Sequence, residues 1–161
     1  AGVLDIECVE GDLLGFRRHL AAPAAIALCM GDTLTHLPSH AAVRALIADI
    51  AAALAPGGLF AASFRDYATA PPTGAARFIP VRGDADRILT CFLDLGPDTV
   101  EVHDIVHERA GEAWTLRVST YPKLRLDPDR VVAECARHGL AARREPGLAG
   151  MVRIVAGKPG A

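Results

Sequence analysis

The residues best suited to chemistry crowd into one stretch, AIALCMGDTLTHLPSHAAVRALIADIAAALAPGGLFAASFRDY, residues 25–67. Arg65 carries a charge it cannot lose, and its planar fork suits a carboxylate held through two parallel hydrogen bonds. Ionised Asp32 can only accept hydrogen bonds, so it favours a cationic or amine-bearing partner. An amino-acid-like molecule would satisfy both, its carboxylate on Arg65 and its amine on Asp32. A rim salt bridge from Arg65 to Asp66 or Asp84 is the other reading. His36 and His40 stand four apart, as do His103 and His107. A metal can use that spacing, but no third ligand lies nearby in sequence, and no metal is expected. There is no GxSxG elbow and no obvious nucleophile–base pair, so no residue is assigned a covalent or acid–base role. The lack of GxGxxG disfavours a nucleotide-binding oxidoreductase.

Three elements would position these residues. Ala25–Met30 is a short continuous apolar run, the pattern of a parallel strand buried on both faces. Gly31–Ser39 is a polar turn. Val43, Leu46, Ile47, Ile50 and Leu54 recur at helical spacing. Pro56-Gly57-Gly58 stops that helix, because Pro lacks the N–H and Gly accepts a left-handed cap. Leu59–Phe64 is a second apolar run. Strand, helix and strand of this length make a βαβ unit with a right-handed crossover. Ligands of open α/β sheets sit beyond the carboxyl ends of such strands, here Met30–His36 and Arg65–Tyr67.

The ordered set LCMGDTLTHL, an Ala-rich helix, APGGLF and FRDY resembles the second half of a class I S-adenosylmethionine-dependent methyltransferase. It is most similar to the glycine N-methyltransferase type of small-molecule enzyme, with gaps, from about Ile6 to Lys158. The resemblance implies an α/β fold: a Rossmann-like, mixed, mainly parallel sheet with an inserted antiparallel meander. It implies S-adenosyl-L-methionine as cofactor and methyl transfer to a small amine or amino-acid-like acceptor. Asp12 matches the acidic residue that accepts from the adenine amino group, and Leu13 the residue bordering the ring; the alternative for Asp12 is a helix cap. Met30 matches a position beside the methionine chain. His36 would reach cofactor or substrate, or else be satisfied at a helix terminus. Arg65 matches the arginine that grips a substrate carboxylate. Tyr67 follows it on the substrate side. Tyr121 matches a tyrosine near the substrate, with a core-edge role equally open. Asp32 departs from the family, which often has Asn there. Ala1 falls where the family's third strand begins. The Gly-rich loop and the ribose-binding acid are therefore not in this sequence, and a piece of a longer protein is expected. A non-catalytic, degenerate interaction module is the competing reading.

The rest of the chain reads as follows. Leu4–Val9 alternates like a strand and ends at Gly11-Asp12, and Leu13–Leu20 is a short irregular helix. Residues 68–74 are loop. Arg87–Leu95, Thr99–Glu108 and Trp114–Tyr121 form a three-stranded antiparallel meander, with Trp114 and Phe92 in its core. Val100, Val102 and Val106 share one face of it; Glu101 and His103 share the other. Asp127-Pro128 starts a helix that Gly139 ends. Leu140–Arg144 and Met151–Ala156 form an edge hairpin. The whole, 1–161, is one domain with 68–125 as a substrate-side insertion.

Composition agrees with a globular chain. It has 161 residues, 51% hydrophobic and 22% charged, enough for one core. A net charge of -2 with no basic block argues against nucleic acid. No apolar run approaches the ~20 residues of a membrane span. The four cysteines, Cys8, Cys29, Cys91 and Cys135, lie in apolar patterns and read as reduced, buried thiols of a cytoplasmic protein. The expected partner is a small molecule, with self-association into a homo-oligomer left open.

Overall fold

A computed structural model describes residues 6–160. Among the described residues, eight strands fall into two four-stranded sheets. The first comprises β1 (Ala24–Cys29), β2 (Leu54–Phe64), β7 (Ala141–Pro146) and β8 (Val152–Gly157). β1 and β2 run parallel, joined by helix α1 (His40–Ala53). This is the βαβ unit read from the apolar runs. β8 pairs antiparallel with β2, and β7 with β8. Among the described residues the sheet is therefore mixed rather than mainly parallel. The edge hairpin turns the chain back beside β2 and reverses direction.

Local chemistry sets the element ends. Ser39 caps α1 by accepting from the Ala42 N–H at 3.1 Å. Lys158 Nζ donates to the carbonyls of Ala51 at 2.8 Å and Leu54 at 2.7 Å, satisfying the far end of that helix. Gly58 has no room for a side chain: a Cβ would stand 2.8 Å from the Ala55 carbonyl oxygen. Helix α2 (Pro128–Arg137) starts as expected, with Asp127 accepting from the Asp129 N–H at 2.9 Å. Phe60, Phe64, Leu46, Ile47, Leu34 and Ile154 are fully buried between the sheet and its helices.

The second sheet comprises β3 (Phe78–Gly83), β4 (Arg87–Leu95), β5 (Thr99–Ala110) and β6 (Ala113–Leu124). The expected meander is present but four-stranded. β3 escapes the sequence pattern because Pro80 interrupts it, and Pro is tolerated on an edge strand, where β3 lies. Tyr67, Leu93, Val100 and Val102 are buried under this sheet.

Four further expectations change. Leu4 and Asp5 of the expected first strand lie outside the described residues, and Ile6–Val9 is irregular and exposed. β1 is buried on one face only: Ile26 is 61% and Leu28 68% exposed on the other, because among the described residues β1 is an edge strand with nothing over that face. Cys8 is exposed and Cys91 half-buried; Cys29 and Cys135 are buried. Trp114 is exposed, with the Arg109 guanidinium 5.1 Å from its ring centre, since it stands on the outer face of the meander. Phe92 also faces outward, half-buried against Phe78.

Candidate functional site

The loop after β1 is fixed by hydrogen bonds to the end of β2. Ser63 Oγ accepts from the Gly31 N–H at 2.9 Å, and the Ser63 carbonyl accepts from the Asp32 N–H at 3.0 Å. Thr33 Oγ1 donates to the Met30 carbonyl, and Thr35 Oγ1 to that of Asp32. Gly31 and Asp32 both have φ 71°, in the left-handed region. Asp and Asn enter it more readily than other side-chain-bearing residues. This accounts for a small amide or acid at this position.

The charge accounts for Asp rather than Asn. Asp32 is 2% exposed and accepts three donors. The Arg65 N–H meets Oδ1 at 2.6 Å; Arg65 Nη1 and Lys123 Nζ meet Oδ2 at 2.6 and 3.0 Å. Burial opposes the charge, but the Arg65 N–H and the Lys123 ammonium outweigh it and hold the carboxyl below its ordinary range. The expectation that Asp32 meets an acceptor amine gives way: its oxygens are turned inward and engaged. Arg65 finds its partner in Asp32, not Asp66 or Asp84. Asp66 instead caps the following turn through the N–H groups of Ala68 and Thr69. The Arg65 side chain remains 34% exposed.

Lys123, on β6, carries this network into the meander. It is 8% exposed, and its ammonium stands 5.9 Å from the Tyr121 ring centre. Tyr121 stacks on His36, with centroids 5.5 Å apart and planes at 28°. Desolvation and the Lys123 charge push His36 below its ordinary pKa, leaving a neutral imidazole at pH 7. Tyr67 is buried, which pushes its phenol up to about 12. Beside these lies Cys91, whose Sγ donates to Asp104 Oδ1 at 2.9 Å. Burial and Asp104 push the thiol up to about 11, while Lys123 and Arg65 act from near enough to oppose them. Asp32, His36, Arg65, Tyr67, Tyr121, Lys123, Cys91 and Asp104 thus gather beyond the carboxyl ends of the parallel pair.

The remaining expected residues stand apart from this cluster. Asp12 caps the 3-10 turn Leu13–His19, accepting from the Leu14 N–H at 2.9 Å. Leu13 lines an apolar groove of about 230 Å³ with Ile26, Leu28, Leu46 and Ile50. Met30 is exposed at the end of β1. A larger cavity of about 730 Å³, between α1, α2 and the β4–β5 turn, contains none of the cluster residues. His36 and His40 do not converge with further ligands: among the described residues no group of three His, Cys, Asp or Glu side chains is placed to hold a metal.

Lys123, Ser63 and Asp104 were not singled out by sequence. Asp104 left a readable signal. Val100, Val102 and Val106 mark the inward face of β5, and Asp104 occupies the same register between them, opposite Cys91 and Ser119. Lys123 lies opposite Val100, likewise in an inward register.

No protein-family model matches the sequence, and a comparison with curated proteins finds no match. Solved structures do match the fold. An amino pentose methyltransferase of Micromonospora echinaspora superposes with a TM-score of 0.75 at 18% identity, over 92% of this chain and 63% of that one. An S-adenosylmethionine-dependent methyltransferase of Clostridium acetobutylicum gives 0.71 at 10% identity, over 93% and 63%. A glycopeptide N-methyltransferase solved with S-adenosyl-L-homocysteine gives 0.59 at 24% identity, over 94% and 60%. The chain therefore spans a little under two thirds of the length of these proteins. The fold of the described residues is that of S-adenosylmethionine-dependent methyltransferases.

Proposed function

We propose that this chain is part of an S-adenosylmethionine-dependent methyltransferase acting on a small molecule with an amine as the accepting group. The observation that carries the reading is the gathering of His36, Arg65, Tyr67 and Tyr121, on a methyltransferase fold, beyond the carboxyl ends of β1 and β2. Structural neighbours include sugar and glycopeptide N-methyltransferases. An amino-acid-like acceptor, as in the glycine type, is the narrower form of the proposal. We take the chain as one domain with 68–125 as its substrate-side insertion, in the cytoplasm, where its unpaired cysteines stay reduced.

When bound, the cofactor would supply a methyl group on sulfonium sulfur for transfer to a nitrogen lone pair, the C–S electron pair staying on sulfur and the extra proton of the nitrogen passing to solvent. The residues present fit the ends of such a molecule. Met30, exposed beside the left-handed Gly31, offers an apolar wall; Leu13 offers an apolar surface, and Asp12 an exposed acceptor for an amino group. On the acceptor side Tyr67, Tyr121 and the exposed edge of Arg65 confine the nucleophile, while Asp32 acts only through Arg65 and Lys123. Orientation of the reactants supplies much of the rate in such a transfer. No group here need form a covalent intermediate.

The test is methyl transfer by the full-length protein to a panel of small amines and amino acids against phenols, with calorimetric titration of the cofactor. Transfer to nitrogen is expected. Absence of cofactor binding, or a preference for phenols, would overturn the reading. A second reading, a non-catalytic interaction module, draws on the open apolar face of Ile26, Leu28 and Leu59. Binding of a protein partner without cofactor would favour it.

A further inference from the structure

We propose that Asp104 is the specificity-determining residue for the acceptor, the carboxylate that receives its amine nitrogen. This rests on the methyl-transfer reading above and names the group that selects nitrogen over oxygen.

Inward positions of an antiparallel strand are apolar when the covered face is only core. On β5 that face reads Val100, Val102, Asp104, Val106, and the first two are buried. A carboxylate in this register needs partners or an opening. Asp104 is half-buried; the Cys91 thiol, a weak donor, hydrogen-bonds it, and the Tyr121 phenol lies close enough to interact with it. An ionised carboxylate has about four lone-pair sites, so part of its accepting capacity is unmet by the protein. By contrast, Asp32 is saturated by Arg65 and Lys123. Asp66 is taken up by the turn it caps, so of the carboxylates at this end of the molecule Asp104 is the one with accepting capacity left for a ligand.

Its surroundings specify the ligand. Tyr121 lies one register step along the same face, opposite Val102, and Tyr67 is buried beneath this sheet. Aromatic faces and one carboxylate are the setting in which an amine or ammonium is held, by a charge-assisted hydrogen bond and by attraction to the rings. Two register steps from Asp104 on the same face, Lys123 joins Arg65 against the single charge of Asp32, so that end of the cluster is positive in sum and repels a cation. A nitrogen that becomes positive is therefore drawn to the Asp104 side. A hydroxyl acceptor also donates to the carboxylate but carries no charge, so it lacks the ion-pair attraction that a cationic nitrogen adds.

The test uses the full-length protein, with glucosamine and glucose as probes that differ by an amine for a hydroxyl, and ethanolamine with ethylene glycol as a smaller pair. Binding is read from the chemical shifts of labelled tyrosine rings, and methyl transfer is measured separately. In the wild type each amine should bind at least tenfold more tightly than its hydroxyl counterpart. Asp104→Asn should abolish that preference, and Asp104→Glu should keep part of it. The circular dichroism and melting temperature of Asp104→Asn should match the wild type, so a loss of preference there is not a folding defect. The proposal falls if the wild type shows no amine preference, or if Asp104→Asn keeps it. Amine preference without methyl transfer would sink the catalytic reading and leave Asp104 as a binding group. Transfer to amines that is equal in wild type and Asp104→Asn would do the reverse.

Discussion

Lys123 Nζ donates to Asp32 Oδ2 at 3.0 Å across 91 residues of sequence, tying the meander to the loop after β1. Both side chains are nearly out of solvent, 10% and 3% exposed. The bond joins two structural units that also pack through Tyr67, Leu93, Val100 and Val102, the Tyr121–His36 stack and the Arg125 bond to the Tyr67 carbonyl. Lys123 is two residues from Tyr121, so the same contact fixes where Tyr121 meets His36.

A double-mutant cycle on this pair should give a large coupling. Lys123→Met leaves Asp32 buried with Arg65 alone and should cost about 1.5–3 kcal/mol, the usual worth of a hydrogen bond to a charged group. Asp32→Asn keeps the acceptor for the Arg65 N–H but strands the ammonium. The double variant should be less destabilised than the sum of the singles by about 1.5 kcal/mol or more, measured by urea unfolding of the full-length protein. Additive effects would mean that the pair contributes nothing beyond its separate members.

Asp32 also predicts the acid limb of stability. Its folded pKa lies below the ordinary value, so the unfolded chain binds the proton more readily. The stabilisation is complete above the unfolded value of about 3.9 and is lost as pH falls through the folded pKa. Stability curves from pH 6 downward should therefore fall more steeply below about pH 4 in the wild type than in Asp32→Asn. Parallel curves would assign the acid sensitivity to other carboxylates.

Much of the fold was legible because its signals are local. Asp127-Pro128 announces the start of α2 through its own backbone chemistry, and the apolar runs announce β1 and β2, although α1 ends at Ala53 and Pro56-Gly57-Gly58, expected to stop it, lies within β2. What was misread depends on neighbours. β1 looks buried on both faces because its composition is that of a central strand, yet Ile26 and Leu28 are exposed. β3 was hidden by Pro80, which only an edge position accommodates. The same division holds at the site. His36, Arg65 and Tyr121 follow strands or turns that sequence can place. The partner of Asp32 could not be read, since no pattern links residue 32 to residue 123. Asp104 is readable, as a charge in the apolar register of Val100, Val102 and Val106.

His36 should titrate below the ordinary histidine range, because desolvation and the Lys123 ammonium both disfavour its charged form, while Asp32 opposes them. Lys123→Met removes the repulsion and leaves the Asp32 attraction, so the His36 midpoint should rise. Proton NMR of the imidazole across pH 5–8 reads both values. An unchanged midpoint in the variant would place the cause of the shift in desolvation alone.

Arg65 separates structural from substrate roles most sharply. Its backbone N–H and one guanidinium nitrogen are held by Asp32, while its side chain is still 34% exposed at the end of β2. The other guanidinium donors have no protein partner among the described residues. Lysine can return a single charge to Asp32, and the backbone bond survives any substitution except proline. Arg65→Lys should therefore change stability by no more than about 1 kcal/mol. What lysine cannot restore is the outward edge of the fork, which suits a carboxylate. For an acceptor bearing a carboxylate, the Michaelis constant should rise roughly tenfold, about 1.4 kcal/mol of lost interaction. For an amine without a carboxylate it should stay unchanged, as should cofactor affinity. Arg65→Met removes both functions and should lower stability and weaken carboxylate acceptors together. Kinetics on glycine and ethanolamine, with thermal melts of both variants, distinguish the cases. Equal Michaelis constants for wild type and Arg65→Lys on glycine would leave Arg65 as a partner of Asp32 alone.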